Sequence, residues 1–294
     1  MKLGILANAT SYYARDLSRA AVEAGHSVTV LPFSGLAAAE PIPELSVWMD
    51  AASPPGQLES FDALLVRTMP PGSLEQVVFR MNALARLESS GVRVVNSARC
   101  IESAVDKYLT TARLRDAGLP VPRTWTCESA DAALAAFERL GGDCVVKPLF
   151  GSEGRGILRV SHPEVALRVF RTLERTQSVL YVQEFIRHPG WDLRVMVLDG
   201  RVLGGMRRYA TDGFVTNVSV GGRGEAVAVS DREAEWSIAA AACVGARIAG
   251  VDLLYGPDGR GYVIEVNGVP GWKGFRAATG VDVAAMLIAC LATG

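Results

Sequence analysis

The chain has 294 residues, 49% of them hydrophobic and 21% charged, which is the composition of a globular protein with apolar material for two or three domains. A formal net charge of −1 gives no electrostatic footprint for nucleic acid, and no apolar stretch is long enough to span a membrane. The five cysteines are widely spaced and form no CxxC pair, so a disulfide framework or zinc site is not indicated and a cytoplasmic location is expected.

The first block, residues 1–97, alternates short apolar runs with helical patterns. Strands are predicted at Lys2–Ala7, Ser27–Leu31, Asp62–Arg67 and Arg93–Val95, and helices at Ser18–Ala24 and Leu74–Ser89. Such alternation implies a parallel sheet with crossover helices, so an α/β, doubly wound domain is expected. No GxGxxG motif follows the first strand, which excludes the usual dinucleotide fingerprint.

The second block, residues 98–185, changes to an α+β pattern, and the third, residues 186–294, contains further strands. Predicted helices are Ser103–Ala117, Ala130–Leu140, Pro163–Arg175 and Asp231–Ala249. Predicted strands are Thr124–Thr126, Asp143–Lys147, Ile157–Val160, Leu180–Glu184, Asp192–Leu198, Arg201–Arg208, Val251–Leu254 and Tyr262–Asn267. The last two should form a hairpin, because Asp258 and Gly259 supply its turn.

A lysine and a glycine-rich loop follow one another in the second block. Lys147 ends a strand, and the loop after it contains Gly151, Ser152, Gly154 and Gly156. Glycines let backbone N–H groups approach a polyanion, so this segment predicts phosphate binding. A hairpin with a loose tip explains the same pattern. Lys107, which follows Asp106 in a helix, is a candidate for a second phosphate contact or a solvated surface lysine.

Two further groups of residues are candidates for a ligand site. Glu184 and Phe185 end a strand where the second block meets the third, and a domain junction is a common ligand site. Asp192 and Arg194 share one face of a strand, and one of Arg207 and Arg208 should face inward, with Arg207 preferred. Asn217 and the segment Gly221-Gly222-Arg223-Gly224 indicate a mobile loop over the site.

The hairpin near the C-terminus carries a possible metal site. In its second strand Tyr262, Ile264 and Val266 should point one way and Glu265 and Asn267 the other, with Asp252 opposite on the first strand. Oxygen ligands of this kind suit magnesium rather than zinc. A solvated surface is the alternative. The three histidines have no Ser, Cys or Asp companion that would indicate a catalytic triad.

In this order, the motifs resemble those of the ATP-grasp carboxylate–amine ligases, most closely the RimK-like glutamate ligases. The resemblance covers residues 97–294, and the first block resembles the Rossmann-like pre-ATP-grasp domain of that family. Arg67-Thr68-Met69-Pro70 and the segment from Glu265 to Trp272 are similar to the tetrahydromethanopterin glutamate ligases.

The resemblance implies an ATP-grasp fold in which two α+β subdomains, residues 98–185 and 186–294, grip ATP. By motif position Lys107 and Lys147 would hold phosphates, Glu184 and Phe185 adenine, and Asp192 the ribose. Magnesium, or manganese in its place, would bind the following three residues: Asp252, Glu265 and Asn267. Thr216 and Asn217 would contact ATP, although the ribosomal-protein members carry an Arg before the matching Asn and this chain does not.

The activity that the resemblance implies is amide-bond formation through an acyl phosphate, most plainly addition of L-glutamate to a pterin or to a peptide or protein C-terminus. Arg207, or else Arg208, would stabilise the acyl phosphate. A ligase for another amino acid, as in lysine biosynthesis or D-alanine ligation, and a non-catalytic nucleotide-binding regulator are the alternatives. A homo-oligomer, dimer or tetramer, is expected.

Overall fold

The first part of the chain forms a parallel sheet with helices on both faces. In a computed structural model of the protein, the structure describes residues 1–39, 47–49, 57–151, 154–210 and 223–293. The elements of this part are β1 (Lys2–Leu6), α1 (Tyr12–Glu23), β2 (Ser27–Leu31), β3 (Leu36–Ala38), β4 (Val47–Met49), β5 (Ala63–Val66), α2 (Leu74–Ser89) and β6 (Arg93–Val95). The sheet order is β2-β1-β5-β6, and β3 and β4 pair separately.

The doubly wound arrangement follows from strands that are apolar on both faces. Leu3 and Ile5 of β1 pack with α1, whereas Leu6 of the same strand packs in the cluster that contains α2. Helix α1 begins at Tyr12 and not at the predicted Ser18, because the Ser11 side chain accepts a hydrogen bond from the Ala14 N–H and caps it.

The second part packs two helices against an antiparallel sheet of order β7-β10-β8-β9. Its elements are α3 (Ala98–Val105), α4 (Lys107–Asp116), β7 (Thr124–Cys127), α5 (Ala130–Arg139), β8 (Cys144–Lys147), β9 (Leu158–Val160), α6 (Pro163–Arg175) and β10 (Leu180–Glu184). The single helix predicted over Ser103–Ala117 is wrong. Asp106 leaves helical geometry and caps α4 by accepting the Leu109 N–H, so Lys107 is the first residue of a separate helix.

The third part is built on an antiparallel sheet of order β13-β12-β11-β14-β15. Its elements are β11 (Trp191–Leu198), β12 (Arg201–Tyr209), β13 (Arg223–Val227), α7 (Asp231–Cys243), β14 (Ile248–Tyr255), β15 (Gly261–Asn267), α8 (Lys273–Thr279) and α9 (Val283–Thr293). The helix predicted to run to Ala249 stops at Cys243. Gly245 has a φ of +70°, and the chain from Ile248 pairs with β11 instead.

The first and third parts share a hydrophobic core. Leu3 and Leu17 of the first sheet and α1 belong to one buried cluster with Met196, Phe275 and Leu287 of the third part. The boundaries at 97/98 and 185/186 each separate two sheets, but they stay a prediction. Within the described ranges, no single helix has the length and hydropathy of a membrane span, although α8 and α9 meet that criterion jointly across a bend of 104°.

Asn96 ties the first sheet to the third part of the chain. Its side-chain amide donates hydrogen bonds to the carbonyl oxygens of Ile248 at 2.7 Å and Gly268 at 2.5 Å. Its Oδ1 accepts hydrogen bonds from the N–H groups of Arg247 and Ile248 at 2.8 and 3.2 Å. One buried side chain therefore fixes both the start of β14 and the residue that follows β15.

Candidate active site

A pocket opens between the second and third sheets. Its lining comes from the first residue of α4, from β8 and the loop after it, from the end of β10, and from the facing strands β11, β14 and β15. It is lined by Lys107, Pro122, Val145, Lys147, Pro148, Gly151, Gly154, Arg155, Ile157, Gln183, Glu184, Phe185, Ile186, His188, Asp192, Asp252, Leu254, Ile264 and Glu265.

Two lysines supply positive charge on one side of the pocket. Lys147 Nζ donates to Gln183 Oε1 at 2.7 Å, and burial lowers its pKa to about 8. Lys107 Nζ donates to the carbonyl oxygen of Gly151 at 2.8 Å, and burial lowers its pKa as well. The charge of Glu265 opposes both shifts. Within the part of the chain that the structure describes, no carboxylate hydrogen-bonds to either ammonium group, and half-buried ammonium groups of this kind are suited to an incoming phosphate.

The loop after β8 needs glycine at two of its predicted positions. Gly154 and Gly156 have φ values of +73° and +75°, which lie in the left-handed region. A Cβ at Gly156 would also stand 2.9 Å from the Pro148 ring. The predicted contact residue Ser152 lies outside the described residues.

The predicted adenine residues lie at the end of β10 beside two arginines. Arg123 binds both oxygens of Glu184 at 3.0 and 3.1 Å and lowers the pKa of that carboxyl. The guanidinium of Arg159 lies over the Phe185 ring at 3.8 Å, and both oxygens of Asp143 bind it at 2.9 and 2.7 Å. Sequence reasoning missed both arginines, because each meets its partner only through strand pairing.

The preference for Arg207 over Arg208 is wrong. Adjacent residues of a strand point to opposite faces, and Arg208 pairs in register with Asp192 on the pocket side. Its Nε donates to Asp192 Oδ1 at 2.7 Å, its Nη2 to Asp192 Oδ2, and it lies 2.8 Å from Asp252. The guanidinium of Arg207 instead lies over the Trp191 ring at 4.4 Å. Asp192 lines the pocket, but Arg208 binds both its oxygens.

Asp252 is the most strongly neutralised carboxylate of the site. It is 1% exposed, and Arg194 grips its two oxygens at 2.7 and 2.6 Å from the paired position on β11. Burial acts against its charge, but Arg194 and Arg208 outweigh burial and hold its pKa below the ordinary value. The i, i+2 spacing of Asp192 and Arg194 was the sequence signal for this pairing.

Glu265 and Asn267 face Asp252 from the paired strand β15. Asp252 pairs with Glu265, and the register then shifts so that Leu253 pairs with Val263. Ile264 is therefore the extra residue of a β-bulge. The predicted strict alternation of Tyr262, Ile264 and Val266 is wrong for this reason. Val263 and Val266 are buried in the core, whereas Ile264 and Glu265 both line the pocket.

The three oxygen-bearing side chains fit a hard divalent cation. Burial, and next the charge of Asp252, raise the pKa of Glu265, and a cation between the carboxylates would relieve that repulsion. Asn267 Nδ2 donates to the Gly250 carbonyl oxygen at 3.3 Å and to Asp252 Oδ2 at 3.5 Å, and its Oδ1 accepts no hydrogen bond among the described residues. Among the described residues no three His, Cys, Asp or Glu side chains are grouped to hold a metal, so the predicted set depends on the amide of Asn267 as its third member.

Some predicted residues cannot be placed in this site. Thr216, Asn217 and the glycines at 221–222 lie outside the described residues. Arg223, expected in a loop, is the first residue of β13 and is exposed, with its guanidinium 5.8 Å from the Tyr209 ring.

Comparison with known proteins gives consistent matches. The family model described as RimK-like ATP-grasp domain matches residues 104–291. The chain is 35% identical over 259 residues to the tetrahydromethanopterin:alpha-L-glutamate ligase of Methanosarcina acetivorans, covering 79% of this chain and 80% of that protein. It is 29% identical over 296 residues to a probable alpha-L-glutamate ligase of Legionella pneumophila strain Corby, covering 98% and 94%.

A solved structure has the same fold. The ATP-grasp ligase PsnB, complexed with minimal precursor, Mg and ADP, matches with a TM-score of 0.73 and 24% sequence identity, and the match covers 99% of this chain and 97% of that one. At this identity the likeness concerns the fold.

Proposed function

Because this chain belongs to the RimK-like ATP-grasp family, as the order of its motifs predicted, we propose that it is an ATP-dependent ligase that joins L-glutamate to a carboxylate-bearing acceptor. One observation carries the proposal. Two half-buried lysines, Lys107 and Lys147, face a pocket whose opposite side holds the oxygens of Asp252 and Glu265. A polyphosphate bound there would have cations on one side and the proposed metal site on the other.

The lysines would bind the ATP phosphates, and the end of β10 would bind the adenine. Asp252, Glu265 and Asn267 would hold magnesium, which offsets charge on the β- and γ-phosphates when it is bound. Manganese has the same preference for oxygen ligands. Phe185, with Arg159 over its ring, offers an apolar surface at the base end of the pocket.

The reaction proceeds in two transfers. An oxygen of the acceptor carboxylate attacks the γ-phosphorus, the bond to ADP breaks, and an acyl phosphate forms. The neutral amine of glutamate then attacks the acyl carbon, phosphate leaves with the former carboxylate oxygen, and the nitrogen loses a proton. We assign the stabilisation of the acyl phosphate to Arg208, because its Nη1 makes no hydrogen bond among the described residues while carboxylates hold Nε and Nη2.

We propose a pterin as the first acceptor to examine. The support is the 35% identity to a tetrahydromethanopterin ligase together with the Arg67–Pro70 and Glu265–Trp272 segments. A peptide or protein C-terminus is the second. The five cysteines are all unpaired, which suits the reducing cytoplasm. The homo-oligomeric state stays a prediction.

An acceptor panel tests the proposed function. The protein is incubated with ATP, magnesium, each amino acid in turn, and pterin or peptide acceptors, and ADP and product mass are measured. We expect ADP to form only with L-glutamate and acceptor present, with a product heavier by one glutamyl residue. The same result with another amino acid would support a different ligase of this fold. Nucleotide binding without amino-acid-dependent ADP would support a regulator.

A further inference from the structure

Arg67 is a buried arginine that the proposed mechanism does not use. It follows β5 in the first sheet and is 5% exposed. Its guanidinium packs against the rings of Tyr13 and Trp272, at 5.0 and 4.2 Å from their centroids, and the two rings contact each other with their centroids 5.1 Å apart. Its Nη2 donates to the carbonyl oxygen of Pro270 at 2.6 Å.

No carboxylate among the described residues neutralises this charge. Burial lowers the pKa of Arg67 to about 10, so the side chain is still protonated at neutral pH. Its Nε is buried without a hydrogen-bond partner. Asp16, which accepts a hydrogen bond from Trp272, already forms salt bridges with Arg19 and Arg276. A buried cation without a counter-ion is costly, so a ligand that brings an anion would be favoured there.

Three further features around Arg67 favour an anion. Arg67 stands at the carboxyl end of a parallel strand, where ligands of open α/β sheets bind. Tyr13 is the second residue of α1, so the positive end of that helix lies beside Arg67, and its first turn contains no acidic residue. Exposed Lys273 adds a charge 5.8 Å from the Tyr12 ring.

The position is close to the metal-binding strand but outside the ATP pocket. Pro270, whose carbonyl Arg67 binds, comes three residues after Asn267. A Cβ on Gly250 would stand 3.2 Å from the Pro270 ring and 3.5 Å from Arg194 Cδ, and Arg194 grips Asp252. Pro270 therefore packs against β14, the strand that carries Asp252, and its carbonyl oxygen binds Arg67. None of these three, Arg67, Pro270 or Tyr13, lines the ATP pocket.

We propose that Arg67 binds a carboxylate of the incoming amino acid. The inference rests on the proposed function and adds the residue that recognises one substrate. The acceptor carboxylate is consumed at the γ-phosphate, whereas L-glutamate brings two carboxylates that do not react and need cationic partners. A planar guanidinium held against two aromatic rings is preorganised for such a group.

Steady-state kinetics of R67M and R67K test this site, with R80M as the matched control. Arg80 also lies in the first part of the chain and donates to a proline carbonyl, that of Pro70 at 2.8 Å. We expect the KM for L-glutamate to rise about 10- to 100-fold in R67M, the loss that a charge-assisted hydrogen bond predicts, with the KM for ATP and acceptor unchanged. R67K should be intermediate, and R80M should equal the wild type.

Substrate analogues separate binding from a structural role. Wild-type protein should discriminate against L-glutamine or L-isoglutamine, whichever lacks the bound carboxylate, and R67M should lose that discrimination. A fall in kcat alone, with discrimination kept, would overturn the proposal and make Arg67 a contact that only holds the Pro270 segment. A raised KM for the acceptor instead would overturn the assignment to the amino acid.

Equilibrium dialysis with labelled L-glutamate needs no turnover and keeps the two proposals apart. If the wild type makes no amino-acid-dependent ADP, the proposed ligase function fails. Retention of L-glutamate by wild type and R80M but not by R67M would still support the site. Equal retention by all three, or by none, would overturn it.

Discussion

Lys147 shows at the scale of one residue how burial prepares a site for phosphate. Its pKa is lowered to about 8, so its proton is only weakly held before ATP binds. A phosphate within reach favours the charged form and restores the proton. The free enzyme therefore loses the binding form of Lys147 as the pH rises past about 8.

ATP binding should therefore weaken at high pH, because only the protonated form of Lys147 is ready to bind phosphate. Below pH 8 the KM for ATP should be flat, and above it the KM should rise by up to about tenfold per pH unit, since one proton must be taken up. Measurement between pH 7 and 9.5 checks this. The K147R variant keeps its charge throughout, so an equal rise in K147R would mean that another group causes the effect.

The carboxylates of the hairpin give a second prediction at this scale. D252N and E265Q should each lower kcat/KM by about 100- to 1000-fold, because the metal ligand set loses a charge worth several kcal/mol in the transition state. D258N is the control, since Asp258 lies in the turn of the same hairpin and its Oδ1 accepts a hydrogen bond from the Arg260 N–H of that turn. Turnover that survives both D252N and E265Q would remove the metal site.

The sequence predicted the direction of a side chain where strand alternation is regular. It failed where the pairing of two strands determines that direction. Asp252 and Asn267 were assigned to one face correctly, because alternation along a strand is strict without a bulge. The bulge at Ile264 depends on the partner strand and has no local signal. Whether Arg207 or Arg208 faces inward depends likewise on the register with β11.

At the scale of elements, helix capping decides where a functional side chain stands. Asp106 ends α3 and starts α4, and its Oδ1 accepts the Leu109 N–H at 3.0 Å. The Lys107 side chain therefore extends from the first turn of α4, and its Nζ donates to the Gly151 carbonyl oxygen. No Gly or Pro between Ser103 and Ala117 signals this break, whereas α2 and α6 were predicted with their observed bounds.

Removal of this cap should affect ATP binding more than stability. D106A is expected to cost about 1 kcal/mol of unfolding free energy and to raise the KM for ATP several-fold, because Lys107 loses its fixed direction. S129A removes the equivalent cap of α5, where Ser129 Oγ accepts the Ala132 N–H, and should cost as much stability without changing KM. Urea unfolding and ATP kinetics of both variants measure the difference. Equal KM values would show that the cap does not position Lys107.

At the scale of the whole molecule, the first sheet supports the site although it lies outside the matched family segment, residues 104–291. Its contacts reach the third part through the shared core and through Asn96. Alternating strands and helices predicted the sheet itself. The docking of that sheet could not be predicted, because its contacts join residues about 150 positions apart, such as Asn96 and Ile248 at a separation of 152.

Replacing Asn96 should weaken the attachment of the first sheet to the third part of the chain. N96A removes four hydrogen bonds and leaves buried backbone groups unpaired, so unfolding free energy should fall by about 3–5 kcal/mol. N82A, at an exposed asparagine of α2, should change it by less than about 0.5 kcal/mol. Urea denaturation compares them. A fall in N96A no larger than in N82A would mean that the first sheet is held by its core alone.

Oxygen transfer from the acceptor carboxylate to phosphate shows whether an acyl phosphate forms. An acceptor labelled with ¹⁸O in its carboxylate is turned over with ATP, magnesium and L-glutamate, and the inorganic phosphate is analysed by mass. We predict that one ¹⁸O passes from the carboxylate to phosphate for each amide bond formed, with ADP as the nucleotide product. Unlabelled phosphate, or AMP in place of ADP, would contradict the account.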